Sequence, residues 1–195
     1  IELTKNRICR APTNISAFKS IGKQYHPYGR QKDDCSSATE ANDNMKLHWS
    51  PRSPYVRKVM IAAHEIGIAD RLNCVRTVVS IFKPVEELFE HNPLNKLPTL
   101  ELDDGTALFD NRVICEYLDS LHEGHKLFPA SGVERIAALR HQALGDGILD
   151  VCLMRLAERL KPEEKRTDAI VASNERKTGA AVDRLEREVD ALIAR

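Results

Sequence analysis

The sequence has no excess charge of either sign and no long apolar run. Its 195 residues hold 29 basic and 29 acidic side chains, so the formal net charge is zero. Proteins that bind nucleic acid or an anionic membrane surface concentrate basic residues, and this balance argues against both partners. Every apolar run is also far shorter than the roughly 18 residues that a membrane-spanning helix needs. We therefore expect neither nucleic acid nor a membrane among the partners.

Cysteine is sparse, and its spacing excludes two common roles. The five cysteines are scattered, and no two of them form a Cys-x-x-Cys pair: Cys9, Cys35, Cys74, Cys115 and Cys152. A disulfide framework or a structural zinc site needs paired or closely spaced cysteines. We therefore expect no metal, and a reducing, cytoplasmic location is the simplest fit.

Residues 1–44 lack the periodicity of the rest of the chain. They show no sustained repeat of 2 or 3.6 residues. We interpret them as a flexible or non-native extension, with Met45 as the natural start of the protein. The alternative is an additional structured arm.

From residue 45 the hydrophobic pattern predicts an α/β domain. An alternating strand at 45–50 leads through two prolines into a helix that ends near Gly67. A β-branched strand at 72–79 and a short helix at 85–89 follow. A hairpin at 99–109 is indicated by an Asp-Gly pair between apolar stretches. This order predicts a mixed four-stranded sheet with two parallel strands and an antiparallel hairpin.

The second half of the chain is predicted to be helical. A linker at 123–130 separates the α/β domain at 45–122 from an all-α domain at 131–195. The last helix carries apolar residues at heptad-like spacing between Val182 and Leu192. Two helices cannot enclose a core alone. We therefore expect either that the helical domain is incomplete or that this apolar face meets a partner.

The turn from Ser50 to Pro54 is the strongest candidate for chemistry. Ser53 stands at the N-cap position, and Pro54 stands at the first helical position, where a missing N–H removes no hydrogen bond. A helix N-terminus can stabilise an anion such as a thiolate. A hydroxyl can accept a hydrogen bond from the helix and still donate its own proton outward. The alternative is that Ser53 only caps the helix.

Three segments, in this order, resemble the cytosolic glutathione transferases, and above all the bacterial members of the serine type. They are Ser50-Pro51-Arg52-Ser53-Pro54, Leu97-Pro98-Thr99-Leu100 and Asp110-Asn111-Arg112-Val113-Ile114. The resemblance covers residues 45–195. It implies a thioredoxin-like first domain that binds glutathione, an all-α second domain that helps to bind the electrophile, and a homodimer. It also implies further helices after residue 195, so we expect the chain to be C-terminally truncated.

The resemblance also implies roles for single residues. Ser53 matches the residue that donates to the glutathione sulfur, and Pro98 matches the cis-proline of the family. Leu97 matches the residue whose backbone pairs with glutathione. Asp110 and Asn111 match the acidic-hydroxyl pair that holds the γ-glutamyl end, although the family has serine where this chain has Asn111.

Three further residues are weaker candidates. Lys96 and Arg112 are placed to meet the carboxylates of the tripeptide, and Ser50 is a second candidate hydroxyl. Trp49, Arg52 and the helix near residues 146–150 are expected to line the electrophile pocket.

The implied activity is detoxification by conjugation, with glutathione as co-substrate. The Ser53 hydroxyl would favour the glutathione thiolate, which attacks a small hydrophobic electrophile. The alternatives are a glutathione-dependent isomerase, dehalogenase or peroxidase, and a non-catalytic glutathione-binding or protein-interaction module of the same fold.

Overall fold

The computed structural model describes residues 45–80 and 83–193, and the predicted extension at 1–44 lies outside the described residues. Four strands and five α-helices follow one another within these described residues. In order they are β1 (Met45–Trp49), α1 (Pro54–Glu65), β2 (Leu72–Arg76), α2 (Glu86–Phe89), β3 (Thr99–Glu101), β4 (Ala107–Leu108), α3 (Asn111–Ser120), α4 (Gly132–Arg159) and α5 (Asp168–Ile193).

The sheet has the strand order β2-β1-β3-β4. Strand β1 is parallel to β2 and antiparallel to β3, which is antiparallel to β4, so the predicted mixed sheet is confirmed. Strand β2 ends at Arg76 and not at residue 79 as predicted. Because β2 is an edge strand whose neighbour β1 turns away at Ser50, residues 78–79 have no strand beside them.

One face of the sheet packs against α1 and α3. Leu47 of β1, Val59 of α1, Leu100 of β3 and Ile114 of α3 are fully buried in this core. Side chains alternate between the two faces of a strand. The neighbours of Leu47 in β1, Lys46 and His48, therefore lie on the opposite face of the sheet.

The predicted linker is fastened to the end of α3. The Asp119 carboxylate accepts hydrogen bonds from the backbone N–H groups of Leu127 (2.8 Å) and Phe128 (3.0 Å), and it lies 3.0 Å from His122 Nε2. Burial raises the pKa of Asp119, but the His122 ring and the two N–H groups lower it overall. Leu127 and Phe128 also pack against the core. The linker is therefore held against the α/β domain just before α4 begins.

Helices α4 and α5 pack against each other and run in opposite directions. Ion pairs join Arg140 to Glu188 and Arg155 to Glu175, which fixes the antiparallel register. Large apolar side chains on both helices are exposed: Val133, Ile136, Leu156, Leu160, Ile170 and Val182. Within residues 45–80 and 83–193, no helix is both long enough and apolar enough to cross a membrane.

Candidate functional site

The three segments singled out in the sequence reach the same edge of the sheet. Strands β1 and β3 are antiparallel with His48 opposite Thr99, so the end of β1 lies beside the start of β3. Strands β3 and β4 are antiparallel with Leu100 opposite Leu108, so the end of β4 lies there too. The turn that holds Ser53, the Leu97–Pro98 pair and the start of α3 therefore meet at one edge.

Ser53 caps α1, as predicted. Its Oγ accepts a hydrogen bond from the backbone N–H of Val56 at 3.3 Å, and Pro54 occupies the first turn of the helix. That first turn holds no acidic side chain, so nothing in it offsets the partial positive charge of the helix end. The hydroxyl proton of Ser53 is not used by this cap and can be donated to a ligand.

Ser50, the second candidate hydroxyl, is less accessible. It is buried, and its Oγ accepts a long hydrogen bond of 3.4 Å from the backbone N–H of Arg52. The structure therefore favours Ser53 over Ser50 as the hydroxyl that a ligand would meet.

The Leu97–Pro98 bond is cis, as the resemblance implied. The segment before it is held by a buried asparagine, Asn92, which the sequence did not mark as part of the site. Asn92 Nδ2 donates to the carbonyl oxygen of Lys96 (3.1 Å) and to Thr99 Oγ1 (2.9 Å). An amide that bonds across a loop cannot be inferred from local sequence, because its partners are set by the loop conformation.

Asp110 and Asn111 begin α3 but point to different surroundings. Asp110 is an exposed N-cap whose carboxylate accepts from the backbone N–H of Arg112 at 3.0 Å. Asn111 is only 3% exposed, and its Nδ2 donates to Asp146 Oδ1 at 3.0 Å. The side-chain nitrogen of Asn111 is thus engaged with α4, while Asp110 faces solvent.

Asp146 of α4 is the buried centre of a cationic network. Its carboxylate accepts from Lys58 Nζ at 2.9 Å and 3.0 Å and from Arg112 Nε at 2.9 Å, in addition to Asn111. A buried carboxylate is tolerated only when opposite charges and donors compensate its lost hydration. The network joins α1, α3 and α4. It therefore fixes α1, which Ser53 caps, relative to the start of α3.

The sequence predicted only that Asp146 lies on a pocket-lining helix, and it gave no sign that Lys58 bonds to it. The one available signal was an aspartate in the middle of a long helix near two glycines, which does not reveal its partners. Arg112, a candidate for a glutathione carboxylate, is instead bonded to Asp146.

A second link joins α1 to α4 next to the first. The Tyr55 hydroxyl donates a hydrogen bond to the Asp150 carboxylate. Burial, followed by this bond, raises the pKa of Tyr55 well above its usual range, so the phenol stays protonated. Asp146 and Asp150 therefore both face α1, on the side of the helix where the sequence predicted a pocket. Arg52 is exposed and Trp49 is half-buried.

In the part of the chain that the structure describes, no three His, Cys, Asp or Glu side chains are arranged to hold a metal ion.

The chain is similar to members of the glutathione transferase family and to stringent starvation protein A homologs. The family model for the glutathione S-transferase N-terminal domain matches residues 52–121. The uncharacterized GST-like protein YibF of Escherichia coli is 29% identical over 150 residues, which are 73% of this chain and 68% of that protein. A stringent starvation protein A homolog of Pasteurella multocida is 36% identical over 110 residues, or 49% of its length.

Solved structures with the same fold include two with glutathione bound. A glutathione transferase family member from Pseudomonas fluorescens Pf-5 superposes with a TM-score of 0.73 and 39% identity, over 77% of this chain and 74% of that chain. A glutathione S-transferase from Methylobacillus flagellatus KT gives a TM-score of 0.65 and 35% identity, over 75% and 70% of the two chains.

Proposed function

Because the chain belongs to the glutathione transferase family, we propose that it binds glutathione at the shared sheet edge and transfers it to a small hydrophobic electrophile. The observation that carries this proposal is the convergence of three segments, at Ser53, Leu97–Pro98 and Asp110–Asn111, on one edge of the sheet. Glutathione is bound in the related Pseudomonas fluorescens and Methylobacillus flagellatus structures. The domain at 45–122 would supply the glutathione site, and the helices at 131–195 would supply part of the pocket for the electrophile.

In this proposal the glutathione backbone lies along the start of β3. The N–H and C=O groups of Leu97 pair with the extended tripeptide as a short added strand would. The γ-glutamyl ammonium meets the exposed carboxylate of Asp110, and its carboxylate meets the N-terminus of α3. Lys96 is exposed and is the better candidate for the glycine carboxylate, because Arg112 already pairs with Asp146.

Asn111 would act mainly through its backbone. Its side-chain nitrogen already donates to Asp146, which leaves the N–H at the start of α3 as the group that faces the ligand. The side chain then fixes the first turn of α3 against α4.

Ser53 would activate the sulfur. Its hydroxyl donates to the glutathione sulfur while its oxygen still caps α1, and the helix end adds a favourable field. Both effects favour thiolate over thiol, whose ordinary pKa is about 8.5. Each unit by which the pKa falls corresponds to about 1.4 kcal/mol of preference for the anion. The thiolate sulfur then forms a bond to an electrophilic carbon, and the leaving group departs with its electron pair.

The test is the pH dependence of conjugation with an aromatic halide. The Ser53→Ala variant should need a pH about one unit higher or more to reach half of its maximal rate, and Ser50→Ala should behave as the wild type does. An unchanged pH profile in the Ser53 variant would remove Ser53 from the mechanism.

We also propose a homodimer in the cytoplasm. Exposed apolar side chains on α4 and α5, such as Ile136 and Val182, support burial against a second subunit. The described cysteines, Cys74, Cys115 and Cys152, are free thiols, which suits a reducing compartment.

A non-catalytic glutathione-binding module is the second candidate function. The observation that favours it is the Asn111 amide, which bonds to Asp146 where the family has a serine hydroxyl for the ligand. A thermal-shift titration with glutathione, run beside the aromatic halide assay, separates the two functions. Binding without turnover supports the module, and turnover supports the transferase.

A further inference from the structure

Three cationic or ionisable side chains meet at one carboxylate on the face of the sheet opposite α1 and α3. Glu101 of β3 accepts a hydrogen bond from Lys46 Nζ at 2.9 Å and another from His48 Nε2. The same Glu101 oxygen that meets His48 lies 3.3 Å from His91 Nε2. Thr77 Oγ1 lies 2.9 Å from the other nitrogen of His48 and holds that ring in place.

His91 is the member of this cluster that does not belong to the sheet. It follows α2 and opens the segment that leads to Leu97 and Pro98. Two asparagine side chains hold the segment 85–98 together through hydrogen bonds to its backbone. Asn92 donates to the Lys96 carbonyl, and Asn95 exchanges two hydrogen bonds with the backbone of Val85. The chain continues from this segment into β3, and the bond from Asn92 to Thr99 holds its C-terminal end there. The His91–Glu101 contact adds a second side-chain link, two residues further along β3.

We propose that His91 and Glu101 are positioning residues for the glutathione site, because their contact holds the segment 85–98, and with it the Leu97 backbone, against the sheet edge. This inference rests on the proposed function, since Leu97 is the residue proposed to pair with glutathione.

The negative charge of Glu101 makes it a strong hydrogen-bond acceptor. Burial raises the pKa of Glu101, but the hydrogen bonds from Lys46 and His48 lower it overall, so this carboxylate stays ionised above its ordinary titration range. Because His48 and His91 meet the same oxygen of Glu101, a variant of His91 alone is needed to separate the two rings.

The experiment measures the Kd of S-methylglutathione, which has no free thiol, by calorimetry at pH 7. His91→Gln and Glu101→Gln should each weaken binding about three- to tenfold, the size expected for one half-buried charge-assisted contact. His125→Gln changes an exposed histidine outside the cluster and should bind as the wild type does.

Amide hydrogen exchange on the unliganded proteins supplies a readout that does not need glutathione. At pH 7, protection of residues 85–98 should be lower in His91→Gln and Glu101→Gln than in the wild type and in His125→Gln. If turnover is present, both variants should raise KM for glutathione and leave kcat nearly unchanged.

Two results would overturn the inference. One is a His91→Gln variant that binds S-methylglutathione as tightly as the wild type does, and the other is exchange at 85–98 that is the same in the variant and the wild type. If neither the wild type nor any variant binds S-methylglutathione, the proposed function fails, and the exchange data alone then decide whether the contact holds the segment.

Discussion

The side-chain amide of Asn111 donates a hydrogen bond to the buried carboxylate of Asp146, which lies 35 residues later in the chain. This bond connects the first residue of α3 to the middle of α4. Lys58 and Arg112 bring two positive charges to the same carboxylate, so the network is compensated in charge as well as in hydrogen bonds. The relative placement of α1, α3 and α4, and hence of Ser53 and Asp110, depends on it.

Replacing Asp146 by asparagine should lower the free energy of unfolding by about 2–4 kcal/mol. The substitution removes the charge that Lys58 and Arg112 neutralise and leaves their donors poorly satisfied. Urea unfolding at pH 7 measures the change. Asp150→Asn is the matched control, since Asp150 is exposed on the same helix and an asparagine oxygen can still accept the hydrogen bond from Tyr55. It should cost less than about 1 kcal/mol. Equal losses in the two variants would contradict the central role of Asp146.

Replacing Asn111 by serine separates ligand binding from stability. Serine is too short to keep the bond to Asp146, so the free energy of unfolding should fall by about 1–2 kcal/mol. The freed hydroxyl would be available to the γ-glutamyl group, so the Kd for glutathione should fall by about twofold or more. Chemical unfolding and calorimetry check the two effects. A variant that is as stable as the wild type would show that the Asn111 bond contributes little.

Substitutions at Ser53 can divide its capping role from its chemical role. Alanine removes both the cap and the hydroxyl, and it should cost about 1 kcal/mol of stability as well as activity. Aspartate keeps the cap but has no proton to donate and adds a negative charge near the sulfur. Ser53→Asp should therefore be stable in thermal unfolding, while its conjugation rate at pH 7 falls by about tenfold or more. Retention of the wild-type rate in this variant would rule out donation by Ser53.

Replacing Asp119 by asparagine should loosen the linker in a pH-dependent way. The pKa of Asp119 is lowered in the folded protein, so its stabilising contribution is present above the unfolded pKa and is lost as the pH falls through the folded value. At pH 7 the variant should be about 1–3 kcal/mol less stable than the wild type, through weakened bonds to Leu127, Phe128 and His122.

The difference in the free energy of unfolding between Asp119→Asn and the wild type should narrow as the pH falls through and below the ordinary range of an aspartate. The reason is that the unfolded chain takes up the proton before the folded Asp119 does, since the pKa of Asp119 is lowered in the folded protein. Urea unfolding at several pH values between 2.5 and 7 measures this gap. A gap that is constant with pH would mean that the charge of Asp119 does not matter.

Local rules made much of the fold predictable. The cap at Ser53 and the proline after it mark the start of α1, and both act within one turn of the chain. The Asp104–Gly105 turn is equally local: Gly105 has a φ of +84°, and Asp104 accepts from the backbone N–H of Thr106 at 2.8 Å. Helical periodicity placed the long helices α4 and α5 because one turn repeats the same face every 3.6 residues.

The sequence by itself determined where helices and turns begin, since caps, prolines, glycines and apolar periods act on their own neighbours. Only the tertiary structure decided that Asn111 bonds to Asp146, that His91 reaches Glu101, and that β2 stops at Arg76. These features depend on which surfaces meet when helices pack and strands pair. The residues next to a side chain in the sequence do not show which distant residue it will contact. The physical reason is that charge compensation and strand pairing are properties of contacts in space, which form only after the local elements have packed.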